Sequence, residues 1–191
     1  MTEIMLFPIN AIVLPDGVVK LRIFESRYRR LVRIASMSAA TFGVCLYDVE
    51  EQNISKVGTL VRIVDYEWLS GGVLGLSVVG EQRFEIETLR HDYDGLRWGK
   101  VNYLPSWSMQ SDALSYAPLV KKLEALFINI PQLAQHYDER RFDDISWVVQ
   151  RWLELLPLAK KESERLLKEE DGTKALEYVM NAVSDKNCRL N

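Results

Sequence analysis

Glu25 is the one carboxylate between Asp16 and Asp48, and a run of cations follows it: Arg27, Arg29, Arg30 and Arg33, with Tyr28 among them. A carboxylate so placed has two uses. Desolvated beside a substrate it could move protons; held against a guanidinium it is an electrostatic clamp. Arg29 lies four residues on, one helical turn away, so the spacing offers Glu25 and Arg29 as a pair. Arg29 and Arg33 would then share a helix face. That stripe could meet phosphates, although a solvated helix face suits the acidic chain around it better.

Other chemistries find less support. No GxxxxGK[ST] run exists to cradle phosphates, and Gly71, Gly72 and Gly75 read as a turn. His91 and His136 stand apart, each without a second His at i+4, and read as surface residues rather than metal ligands. Neither a GxSxG elbow nor a cysteine-protease context surrounds any nucleophile. Cys45, between Val44 and Leu46, reads as a core thiol. Five tryptophans could form an aromatic surface, but large aromatics serve the core first. Trp152 fits a helical stripe, whereas Trp107, between Pro105 and Ser108, could line a groove between subdomains.

The bulk properties agree with a binding or structural role. A chain of 191 residues can bury a core as one domain or two small ones. Its net charge of −3 does not advertise nucleic-acid binding. Only two cysteines, Cys45 and Cys188, leave no disulfide framework. The start lacks a signal-peptide pattern, and no apolar stretch approaches transmembrane length, so a soluble cytoplasmic protein is expected.

These residues must be positioned by two kinds of element. Up to about Trp107 the period is mostly two. Val19, Leu21 and Ile23 share one face of a strand; residues 57–68, the turn Ser70-Gly71-Gly72 and residues 73–79 form a hairpin. A second turn is expected at 79–82, then a half-buried strand through Phe84 and Ile86, the loop 92–95, and a strand over 96–104. One helix, from Ser26 to about Met37, interrupts the strands. Closely spaced strands of this kind suggest a small twisted barrel.

Beyond Ser108 the period becomes helical. Leu119, Leu123, Leu126 and Phe127 make a stripe ending before Pro131, in which Pro118 is tolerable only within a first turn. Further helices are expected over 143–156, 160–168 and 174–183, with a frayed tail after Ser184. The division expected is 1–108 for the strands and 109–191 for the helices.

Several stretches, taken in order, resemble a known family. Leu6-Phe7-Pro8-Ile9, Val13-Leu14-Pro15-Asp16-Gly17 and Leu21-Arg22-Ile23-Phe24-Glu25-Ser26-Arg27-Tyr28 are similar to the opening of the Lon protease N-terminal domain. Phe42-Gly43-Val44, Val57-Gly58-Thr59-Leu60-Val61-Arg62-Ile63, Gly80-Glu81-Gln82-Arg83-Phe84 and Leu153-Glu154-Leu155-Leu156-Pro157 continue the likeness. Leu14 replaces a common aromatic, and Ser26 stands where the family often has proline. The second change is mild, because serine suits an N-cap and proline the first helical position.

The resemblance implies an α+β fold: a PUA-like twisted β-barrel with an inserted helix, followed by a C-terminal helical bundle. It implies a module that recognises unfolded or tagged protein segments, or a protein partner, with no cofactor and no metal. In Lon proteases such a region precedes an AAA+ ATPase and a Ser-Lys protease domain; the 191 residues carry neither, so no enzymatic activity is expected. The expected protein-binding residues are Phe24, Arg27, Tyr28, Trp68 and Trp107, on a surface joining barrel and helices. Glu25 and Arg29, with Arg27, are expected to clamp the strand-to-helix junction. Two alternatives stay open: an RNA-binding PUA-like module, and a small-molecule or hydrolytic activity in the cleft between subdomains.

Overall fold

The structure is a computed structural model that describes residues 2–48, 52–109, 113–135, 137 and 139–184, with no side-chain placement at 113 and 114. His136, Cys188 and the tail expected to fray lie outside the described residues. The chain is mixed α+β and divides into two compact units, Met1–Pro105 and Ser106–Asn191. Among the described residues no helix is long and apolar enough to cross a membrane.

The first unit holds β1 (Thr2–Ile9), β2 (Val18–Ile23), α1 (Ser26–Ser36), β3 (Thr41–Asp48), β4 (Asn53–Leu69), β5 (Val73–His91) and β6 (Arg97–Tyr103). The strands make one six-stranded sheet in the order β2-β5-β4-β3-β1-β6, and β6 pairs again with β5. Strands β5-β4-β3-β1-β6 therefore close a hydrogen-bonded ring, with β2 added to it. The length of β5 makes this possible. Residues 74–79 pair with β2, while 84–91 pair with β6.

The expected turn at 79–82 is absent, because β5 runs unbroken through it. A bulge takes its place: Gln82 pairs with Leu60 and Gly80 with Val61, leaving Glu81 as the extra residue. Gly80 serves close packing rather than chain reversal, since a Cβ there would lie 2.1 Å from the Leu14 carbonyl oxygen.

Helix α1 packs on the sheet through the stripe its period dictates. Tyr28, Leu31, Val32 and Ala35 are buried against Leu21, Ile23, Ile63, Leu76 and Val78. Burying a leucine such as Leu31 stabilises by roughly 1.5–3 kcal/mol. A second apolar cluster joins Leu6, Cys45, Ile54, Phe84 and Val101. The Cys45 thiol is buried, and burial pushes its pKa up, so the thiolate is disfavoured.

The second unit holds α2 (Ala113–Asn129), α3 (Pro131–Ala134), α4 (Ile145–Leu155), α5 (Lys160–Leu167) and α6 (Thr173–Ser184). Asp144 caps α4, its side chain accepting from the N–H groups of Ser146 and Trp147. Trp152 is buried and donates from Nε1 to the Leu119 carbonyl; Lys122 donates to the Val183 carbonyl. Phe127, Tyr137, Phe142 and Trp147 form one aromatic cluster. Pro118 corrects the sequence expectation, since it lies inside α2 rather than in its first turn. Its missing N–H costs one intrahelical bond, which a 17-residue helix with a buried stripe at Leu119, Leu123 and Phe127 tolerates.

Candidate functional site

The junction of β2 and α1 opens onto a cavity of about 540 Å³ in the first unit. Phe24 leaves the strand pointing to solvent and is 66% exposed. It breaks the burial rule for large aromatics, and it does so at the cavity wall. Phe7, Pro8 and Ile9 at the end of β1 line the same cavity. Val19 and Leu21 line the cavity from β2, and Tyr28 from the first turn of α1.

The charges are asymmetric. Lys20, Arg22, Arg27 and Arg97 line the cavity against one carboxylate, Glu25. Glu25 is engaged, its Oε2 lying 2.6 Å from Arg27 Nη2. The guanidinium of Arg27 stands 5.0 Å from the Tyr28 ring centroid, and its Nε is buried with no hydrogen-bond partner among the described residues. Arg27 also points Nη1 at the Gly95 carbonyl, a long contact of 3.5 Å. Gly95 has φ 79°, which favours glycine, and a Cβ there would come within 3.1 Å of that nitrogen.

Tyr28 is held between these effects. Burial raises its phenol pKa, while Arg27 and Arg97 pull it back. The ring packs on Phe7 with centroids 4.3 Å apart. It stands in the cavity wall and is largely buried.

Of the residues expected from sequence, the cavity brings together Phe24, Arg27 and Tyr28, with Glu25 beside them. Trp68 is 78% exposed near the end of the β4–β5 hairpin and is not among the lining residues. Trp107 is buried in the second unit, its Nε1 donating to the Glu169 carbonyl, so it serves that unit's core rather than a groove. The expected Glu25–Arg29 pairing is replaced by Glu25–Arg27. At the helix start, Arg29 donates its backbone N–H to the Glu25 carbonyl while its side chain stays exposed. Ser26 is the first helical residue, and Glu25 rather than serine occupies the N-cap, with no side-chain capping bond.

Sequence reasoning missed Lys20, Arg22, Arg97 and the β1 end. Lys20 and Arg22 alternate with Leu21 and Ile23, the ordinary mark of a wet strand face. Arg97 comes from a strand about 70 residues away, and no local pattern announces it. Among the described residues no group of three or more His, Cys, Asp or Glu could hold a metal ion.

Comparison with known proteins places this geometry in a family. The Lon N-terminal domain protein from Xanthomonas campestris has a similar structure, with a TM-score of 0.76 and 31% identity over 95% of this chain and 98% of that one. The N-terminal domain of the Mycobacterium avium complex Lon protease shares the fold at a TM-score of 0.71 and 20% identity, over 97% of this chain and all of that one. Residues 3–185 match the family described as ATP-dependent protease La (LON) substrate-binding domain. With the match covering nearly its whole length, the chain belongs to the LON substrate-binding domain family.

Proposed function

We propose that this protein recognises apolar stretches of unfolded or tagged polypeptide at the β1–β2–α1 cavity and performs no chemistry of its own. The observation that carries this reading is Phe24, a large aromatic left in water on the wall of an apolar cavity. Family membership supports it, because a substrate-binding domain meets protein substrates. The non-enzymatic part rests on two groups. Glu25 is spent on Arg27, and the Cys45 thiol is buried in its uncharged form, so neither is poised as base or nucleophile.

In this reading the closed strand ring is a PUA-like barrel. The packing of α2 against α4 and α6 is a small helical bundle. Arg27 orients the bound segment, Tyr28 shapes the wall, and Glu25 clamps Arg27 across the junction. A cytoplasmic location suits free Cys45.

The test is fluorescence anisotropy with a dye-labelled peptide from an unfolded model protein. Saturable binding that weakens in Phe24→Ala agrees with the reading; absence of saturable binding contradicts it. The four cations favour RNA as the second reading. It requires tight oligonucleotide binding that falls steeply with salt.

A further inference from the structure

We infer that the cavity takes its ligand as an extended strand, a peptide that adds to the open edge of β2 and carries a carboxylate between apolar side chains. This rests on the polypeptide-recognition reading and specifies the class of segment that reading leaves open.

Strand side chains alternate between faces, so a cavity that touches Val19, Lys20, Leu21 and Arg22 in succession wraps around a strand edge. One edge of β2 is taken by β5. The cavity therefore lies along the other, which pairs with nothing among the described residues. The β1 wall of the cavity has an uncovered stretch as well. Strand β6 covers β1 only from Thr2 to Leu6, so residues 7–9 keep β3 on one side and, among the described residues, no strand on the other. The ligand site is a slot between two uncovered stretches of strand.

The Gly80 N–H donates to the Gly17 carbonyl, and Val18 faces Val79. In an antiparallel pair this makes Val19, Leu21 and Ile23 the residues that exchange bonds with β5. Val18, Lys20 and Arg22 turn their N–H and C=O groups to the slot. At about 3.3 Å per residue, residues 18–22 span roughly 13 Å, enough for a segment of about five residues. Main-chain bonds of this kind supply affinity without sequence preference, and side-chain pockets supply the preference.

Among the described residues Lys20, Arg22 and Arg97 have no carboxylate partner, and the one lining carboxylate is already paired with Arg27. A neutral apolar peptide would leave that excess unanswered, whereas one with an acidic side chain next to its apolar residues would complete it. The slot's backbone donors and apolar walls favour a polypeptide over a nucleic acid, whose phosphates would use the cations alone.

The experiment is anisotropy titration of the full chain with four probes. These are a labelled peptide alternating apolar residues with Glu, its Gln counterpart, the Glu peptide N-methylated at alternate amides, and a short single-stranded oligonucleotide. The Glu peptide is expected to bind about tenfold tighter than the Gln peptide, and the N-methylated form to lose saturable binding. Arg97→Gln and Arg22→Gln should each shrink the Glu-to-Gln ratio while circular dichroism stays unchanged. Equal binding of the Glu, Gln and N-methylated peptides would overturn the inference and leave the recognition reading standing. Failure of every peptide would overturn both, and tighter competition by the oligonucleotide would overturn both in favour of nucleic acid.

Discussion

Two arginines three residues apart on α1 meet opposite fates. Arg30 is fully committed, donating to Asp92 at 2.5 Å and to both oxygens of Asp94 at 2.9 Å. Asp92 also receives Arg90 and the Trp98 indole N–H, so the loop after β5 is tied to the helix and to β6. Arg27, at the cavity, has one carboxylate, one long carbonyl contact and a buried Nε left over. The comparison separates a region whose charges answer one another from one that, on the proposed reading, receives a polypeptide. In the first the guanidinium is answered by two carboxylates from within. In the second the protein supplies more cation than anion, and an aromatic ring stays in water.

That contrast can be broken by substitutions, of which the largest effect belongs to the core beneath both arginines. Leu31 is fully buried, so Leu31→Ala should cost about 2–5 kcal/mol. A denaturant midpoint unchanged from wild type would mean α1 is not packed as described. Next comes Arg30→Ala. Loss of its bonds to Asp92 and Asp94 should lower the melting temperature by several degrees while peptide affinity, measured well below the melt, stays near wild type. Lost affinity with an unchanged melt would reverse the roles assigned to the two arginines.

A pH series sharpens the same point. The Arg30 guanidinium holds the carboxyls of Asp92 and Asp94 below the ordinary 3.8, and Arg90 likewise lowers Glu3. Groups with lowered folded pKa values stabilise the fold above their unfolded values, and that stability is lost as pH falls through the folded ones. The melting temperature should hold down to about pH 4 and then drop. In Arg30→Ala the drop should be shallower; identical profiles would remove the loop clamp from the account.

The smallest stability effects belong to the cavity. Glu25→Ala should cost about 0.3–1 kcal/mol, from the lost charge at the helix N-terminus and the partly exposed pair with Arg27. Phe24→Ala, on an exposed side chain, should change stability by less than about 0.5 kcal/mol. Its effect on affinity should be about tenfold, the scale of an aromatic anchor. A large stability loss from Phe24→Ala would return it to the core.

Much of the framework was legible in sequence because period reports burial. The alternation of Val19, Leu21 and Ile23 gave β2, and the change of character at Ser26 gave the start of α1, though not the side of it that is buried. The family resemblance came from ordered motifs. What stayed hidden depends on contacts between distant segments. Gly80 looked like a turn because glycine marks both turns and close approaches, and only the Leu14 backbone tells them apart. Trp107 and Trp68 are the same residue type, one in a connector and one near the end of a strand, yet the connector tryptophan finds the Glu169 carbonyl and the strand tryptophan finds water. Arg97 enters the cavity through the closure of the strand ring, which pairing decides and local pattern does not.

The claim that polypeptide binds along β2 is tested most directly by backbone amide shifts, recorded by NMR while an apolar, Glu-containing peptide is titrated in. The account predicts saturating shifts concentrated at residues 18–28, largest at Val18, Lys20 and Arg22 whose N–H groups face the slot. Shifts confined to the β4–β5 hairpin end around Trp68, or to residues of the second unit, would contradict it.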